Sequence, residues 1–247
     1  MQTTKKVLLS LTAGVLCATA LVPPAVAQCD QIKLMADTPA HVGTQGFGTS
    51  LALDDGWALI GRPDGHVDGE AQGTVSVRDG SLPEWPESEL LFALDGAVGD
   101  RFGSAVALRG DVALIGAPGD ETAGFDSGAA YVFRRNGGVW SQEAKLVPTP
   151  SEPGDRFGYA VALGDDVLVI GAPYVDPAGL REFGRAYVFR YDGEQWSQET
   201  ALRHSASPAV PYSRFGRDVA LDGDLVAVGT TGKGADLFRF DGAHWVL

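Results

Sequence analysis

The chain has 247 residues, 45% of them hydrophobic, and its 32 acidic against 19 basic side chains give a formal net charge of −13. One sizeable core fits this length and apolar content, so a single domain behind any leader is expected. A surface of that sign repels phosphate backbones and anionic lipids, which argues against nucleic acid and membrane surfaces as partners and leaves cations, basic proteins or solubility alone as its use.

The chain opens with Lys5-Lys6, an apolar run over 7–22 and the small-x-small sequence Ala25-Val26-Ala27. That order reads as a secretory signal peptide over 1–27, cleaved after Ala27, with the mature domain spanning 28–247. The run is short for a bilayer span and Pro23-Pro24 follows it, so no membrane insertion is expected once the leader is removed. Cys29 lies near the cleavage point and raises a lipid-anchored alternative, but the large polar Gln28 before it departs from the small residue such signals carry. With Cys17 in the leader, Cys29 is the single mature cysteine and no intramolecular disulfide can form, so stability must come from strand pairing and apolar burial.

From residue 47 onward one phrase recurs. Phe47-Gly48, Phe102-Gly103, Phe157-Gly158 and Phe215-Gly216 stand 55, 55 and 58 residues apart, which marks stacked copies of one supersecondary unit over about 47–101, 102–156, 157–214 and 215–247. Within a copy, short runs rich in Val, Ala, Leu, Tyr and Phe alternate with Gly, Asp, Pro and Asn, and helical periodicity is absent. The second copy predicts strands over 104–108, 112–117, 129–134 and 139–147. Tight turns are expected at Arg109-Gly110-Asp111, Gly164-Asp165-Asp166 and Asp222-Gly223-Asp224, and further hairpins at Asn136-Gly137-Gly138 and Tyr191-Asp192-Gly193.

Four-stranded antiparallel units of this length arranged radially make a β-propeller, an all-β fold. Ala105, Ala107, Ala160, Ala162 and Ala220 suit inner strands where blades converge; Trp85, Trp140, Trp196 and Trp245 recur near the start of the outer strand and read as core. The four phenylalanines would wedge between blades, and the glycine after each would let the chain turn sharply. Residues 31–34 align with 143–146, so the mature N-terminus reads as an outer strand, filling the place where the fourth blade stops at Trp245-Val246-Leu247 and closing a four-bladed ring. An open arc or a piece of a larger ring is the alternative, with an edge that invites association.

The repeated phrase resembles the FG-GAP repeat, the unit of the integrin α-subunit propeller and of many exported bacterial proteins. The resemblance rests on Phe102-Gly103 with Gly116-Ala117-Pro118, and on Phe157-Gly158 with Gly171-Ala172-Pro173, each followed by Ala-Tyr-Val-Phe. The flanking copies have drifted, with Gly61-Arg62-Pro63 and Gly229-Thr230-Thr231 in place of Gly-Ala-Pro. It implies a propeller frame whose loops bind ligands that differ among members.

In integrin-like propellers the first hairpin of several blades carries a calcium loop rich in aspartates. Here the corresponding turns are two or three residues long, too short for the six to eight oxygens calcium takes, so no cofactor is expected and calcium remains only an option. The connection between second and third strands is acidic, with Asp64, Asp68 and Glu70 in one copy and Asp120, Glu121 and Asp126 in the next; these are weak metal candidates beside the reading as solvated turns. Arg109-Gly110-Asp111 spells a tripeptide that integrins bind, but a tight hairpin would not present it. Asp100-Arg101 and Asp155-Arg156 read as local ion pairs at the crossovers. His41, His66, His204 and His244 fall at unrelated positions and read as surface residues, and 229–234 looks only faintly like a phosphate loop. No Gly-x-Ser-x-Gly, no His-Glu-x-x-His and no zinc-spaced cysteine pair occurs.

The expected role is therefore an exported, non-enzymatic propeller that binds a protein or carbohydrate, through the face where loops 119–128 and 148–156 gather. Two rivals stand beside it. One is a hydrolase or lyase using carboxylates at the channel mouth, and the other is a structural module that self-associates through its terminal blade.

Overall fold

The computed structural model describes residues 46–176, 182–204, 212–231 and 234–247, and among these there is no helix. Four antiparallel sheets of four strands follow one another along the chain. The first holds β1 (Ser50–Asp54), β2 (Trp57–Arg62), β5 (Thr74–Asp79) and β6 (Glu87–Leu91), with a two-stranded ribbon, β3 (His66–Val67) and β4 (Glu70–Ala71), in its second connection. The second holds β7 (Ala105–Arg109), β8 (Val112–Ala117), β9 (Ala129–Asn136) and β10 (Val139–Leu146); the third holds β11 (Ala160–Leu163), β12 (Val167–Ala172), β13 (Arg185–Tyr191) and β14 (Trp196–Leu202). The fourth holds β15 (Val219–Asp222), β16 (Leu225–Thr230), β17 (Gly234–Phe240) and β18 (Trp245–Val246).

In the second and third sheets, strands two and three are apolar on both faces because both faces are covered. Along β9, Ala129, Tyr131 and Phe133 enter the core shared with the first sheet, while Ala130 and Val132 enter the core shared with the third, as the two-residue period of a strand requires. Three such cores join successive sheets. The sheets lie closest through their first strands, β1 beside β7, β7 beside β11 and β11 beside β15, where alanines keep the side chains small.

The Phe-Gly motif is the joint between sheets. Phe102, Phe157 and Phe215 are fully buried, and each pairs through its backbone with a glycine of the preceding sheet, Gly73, Gly128 and Gly184. Each ring also meets its own sheet edge to face, Phe102 on Tyr131 at 5.4 Å and Phe157 on Tyr187 at 5.5 Å between centroids. The glycine that follows has two reasons to lack a side chain. Gly158 has φ +89°, and a Cβ on it would overlap the Ala129 carbonyl oxygen; a Cβ on Gly116 of the Gly-Ala-Pro phrase would in turn overlap the carbonyl oxygen of Gly158. The two recurring phrases thus touch each other across the joint, which is why they recur together.

Outer strands add a second tie. Glu143 accepts from Arg134 in its own sheet and from the Trp196 indole of the next at 2.8 Å; Glu199 repeats this with Arg190 and, at 3.1 Å, Trp245. Trp85 differs from the other three, standing in the turn before β6 with φ +48°.

The end sheets lack a neighbour among the described residues, since no apolar core joins the fourth sheet to the first. Leu51 and Leu53 are 66% and 72% exposed, whereas Val106 and Leu108, their counterparts one repeat on, sit against the first core. Leu237 of β17 is 55% exposed where its counterpart Val132 is buried. The expected N-terminal outer strand and signal peptide lie outside the described residues. The outer position of the fourth sheet, expected to be vacant, is taken by β18 through the pairs Arg239 with Val246 and Phe240 with Trp245.

Candidate functional site

Antiparallel order gives each sheet two unlike ends. At one end lie the short turns, and they are tied to each other: Arg109 reaches Asp165 at 2.5 Å, Gly110 N donates to Asp54 at 2.6 Å, and Asp111 accepts from Arg135 at 2.6 Å. The Arg109-Gly110-Asp111 tripeptide is therefore engaged by its own chain. At the other end lie the long second connections and the crossovers. Loop 119–128 meets loop 148–156 through Gly154 N to the Phe125 carbonyl at 2.8 Å and the Arg156–Asp126 ion pair at 2.9 Å, with the Phe125 side chain 71% exposed at the tip.

Two clefts open at this loop end. The first, about 180 Å³, is lined by Asp95, Asp100, Asp120, Glu121, Thr122 and Lys145. Its chemistry is internally complete: the Lys145 ammonium donates to Asp95 at 2.6 Å, Asp120 at 2.8 Å and Thr122 at 2.6 Å, and the Tyr131 hydroxyl lies 3.1 Å from Asp95 and 3.0 Å from Asp120. Burial pushes the Asp120 carboxyl up, but Lys145 and the Thr122 amide outweigh it and hold the group below its ordinary range. Burial likewise opposes the charge on Lys145, and the two aspartates more than restore it. Asp100, buried and facing Asp120, is pushed up by its desolvation. The second cleft, about 310 Å³, is lined by Glu152, Asp155, Asp176, Arg185 and Arg203 with Pro150 and Val175. Burial raises Asp155 there.

The metal candidates are dispersed. Asp64, Asp68 and Glu70 are exposed around the β3–β4 ribbon, Glu121 is exposed at the rim of the first cleft, and Asp126 is paired with Arg156. Asp120 is the one buried candidate, and its positive neighbour is already Lys145. Among the described residues no three His, Cys, Asp or Glu side chains are grouped to hold a metal ion.

The expected Asp100–Arg101 and Asp155–Arg156 pairs do not form. Each aspartate instead accepts from a backbone amide, Asp100 from Ala97 N at 2.7 Å and Asp155 from Glu152 N at 2.9 Å; the arginine beside each is in the left-handed region (φ +59° and +54°), and Arg156 pairs with Asp126. His204 is not a surface residue: it lies against Phe215, with ring centroids 5.9 Å apart, and its Nδ1 is 2.9 Å from Asp236. His41 and part of 229–234 fall outside the described residues. Sequence reasoning missed Asp95, Lys145, Arg185 and Arg203, and treated the tyrosine of Ala-Tyr-Val-Phe as core alone. The recurring tyrosine was the available clue, since a buried hydroxyl requires a partner.

Comparison with known proteins gives one family. The FG-GAP repeat matches residues 85–133 and 140–189. Each matched segment starts by an outer strand and ends on the third strand of the following sheet, so the sequence unit straddles two sheets. No curated protein matches the chain. Among the described residues no helix is long and apolar enough to cross a membrane. With the Phe102-Gly103 and Phe157-Gly158 joints inside the two matched segments, the chain is an FG-GAP repeat protein.

Proposed function

We propose that this protein is an exported β-propeller binding module that holds an extracytoplasmic protein or carbohydrate ligand at its loop end without converting it. The observation that carries this reading is the contrast between the ends: the turn end has a cleft of about 290 Å³ whose Arg109 and Asp165 are already paired with each other, whereas the loop end presents two charged clefts and an exposed phenylalanine. Export rests on the Lys5-Lys6 start, the apolar run and Ala25-Val26-Ala27. Its test is calorimetric titration of the secreted chain with defined acidic and neutral oligosaccharides and peptides, followed by mass spectrometry of the recovered ligand. Saturable binding with the ligand returned intact supports the module; a hydrolysed or eliminated product, abolished by Asp155→Asn, replaces it with the hydrolase or lyase reading.

The exposed rows on β1 and β17 favour a second proposal, that these faces are covered in the working protein, by closure of a four-bladed ring or by a second copy. Sedimentation of the mature chain separates the two. A monomer whose Leu53→Glu variant loses stability fits closure, and a dimer that the same variant dissociates fits the second copy.

A further inference from the structure

The two clefts occupy the same place in successive repeats, and shared hydrogen bonds fix the correspondence. Leu94 N to Gln142 Oε1 matches Thr149 N to Gln198 Oε1, and Ala97 N to Asp100 matches Glu152 N to Asp155. Tyr131 faces Lys145 across its strand pair as Tyr187 faces Ala201. Counting from the same anchors, Val175 stands in the place of Asp120 and Pro150 in that of Asp95. Every group that satisfies the Tyr131 hydroxyl has been removed around Tyr187, together with the ammonium that fills the first cleft. Two guanidiniums arrive instead, Arg185 in the place of Ala129 and Arg203 in that of Val147.

What remains is a set of unused donors. Tyr187 is fully buried and its hydroxyl has no hydrogen-bond partner; the buried Nε of Arg185 has none either. Arg185 and Arg203 both line the cleft, where Glu152, Asp155 and Asp176 stand beside them. Among the described residues neither arginine lies within ion-pair distance of a carboxylate, although Arg109, Arg134, Arg135, Arg156, Arg190, Arg214 and Arg239 all do. Buried polar groups in native folds are otherwise paired almost without exception.

We infer that the third-repeat cleft binds a carboxylate-bearing ligand, its carboxylate received by the Arg185 and Arg203 guanidiniums, and its own donors by Glu152 and Asp176. A monocarboxylate fits better than a phosphate, because Glu152, Asp155 and Asp176 oppose a dianion while accepting from hydroxyl or amide donors next to a single charge. A space of about 310 Å³ takes one sugar acid or one amino-acid residue. The inference rests on the loop end being a binding face.

Calorimetry on the full mature chain with D-glucuronate, N-acetylalanine and D-glucose tests it. One site per chain for a carboxylate, with glucose bound roughly tenfold more weakly or not at all, is expected. A preference for glucuronate assigns the carboxylate to a sugar acid, and a preference for N-acetylalanine assigns it to a peptide terminus. Arg203→Ala, at an exposed position, and Arg185→Ala each weaken that binding about tenfold. Arg203→Ala leaves the thermal midpoint unchanged, since the position is exposed; a purely structural role predicts a lower midpoint and unaltered affinity. Absence of binding by both acids, or variants that bind as tightly as the parent, overturns the site even if other ligands bind the loop end. Conversion of the bound acid would overturn the module reading and leave the site standing.

Discussion

Replacing Lys145 by methionine keeps the aliphatic stem and deletes the ammonium that joins Asp95, Asp120 and Thr122. Asp95 is half-exposed and regains water. The Asp120 side chain, 3% exposed, does not, and it retains only the Tyr131 hydroxyl and the Thr122 amide. Breaking a buried pair costs about 3–5 kcal/mol, and the two bonds Asp120 keeps bring this to about 2–3 kcal/mol. In a domain of this size each kcal/mol moves Tm by about 2–4 °C, so Lys145→Met lowers Tm by about 4–12 °C at pH 7. The pH profile carries the mechanism. Asp120 lies below its ordinary value of 3.8 in the folded parent, so its contribution is present above that value and is lost as pH falls through the lowered one. Lys145 lies above its ordinary 10.5, so its contribution persists to that pH and fades as pH rises through the raised value. The gap between parent and variant is therefore widest near neutrality and narrows at both extremes. Calorimetric Tm values from pH 3 to 11 check it, and a gap under about 2 °C at pH 7, or one that stays flat with pH, refutes the account.

Tyr131→Phe, which loses both carboxylate partners, costs about 1–2 kcal/mol in urea unfolding, while the sequence-equivalent Tyr187→Phe costs nothing. Gly171→Ala places a Cβ on the Gly216 carbonyl oxygen and lowers stability by about 2 kcal/mol or more; Gly229→Ala, whose Cβ would meet nothing nearer than 3.3 Å, is tolerated, and equal effects in a denaturant series would contradict the joint described above. Asp100→Asn relieves a buried charge whose pKa is raised, so it raises the unfolding midpoint at pH 7, and the gain disappears as pH falls through that raised value. Calcium and chelator leave the midpoint of the mature chain unchanged, because the buried Asp120 is already neutralised by Lys145, and a calcium-dependent rise in differential scanning fluorimetry would show otherwise.

Much of the frame was legible because the forces that build it are local or periodic. Strands buried on both faces write continuous apolar runs, and the Phe-Gly and Gly-Ala-Pro phrases mark a joint that forbids side chains. The first sheet reads less clearly, since Ser76 and Arg78 stand where the second has Tyr131 and Phe133, and Ser76 donates to Glu87 instead of packing as a ring. The clefts were illegible for another reason. Lys145 meets Asp95 across 50 residues and Asp120 across 25, distances that depend on how a crossover folds back. The β3–β4 ribbon is two residues deep on each side and leaves no periodic trace, and the left-handed arginines before Phe102 and Phe157 sit where composition suggested simple pairing with their neighbours.

The phase of the family match has a consequence for how such a chain can lengthen or shorten. A duplicated segment running from one outer strand to the third strand of the following sheet is not a self-contained bead: it arrives carrying the piece that completes its predecessor and an unfinished sheet that awaits its successor. Insertion or loss of whole segments therefore heals at every internal seam, and the raw margins are always displaced to the two extremities of the array.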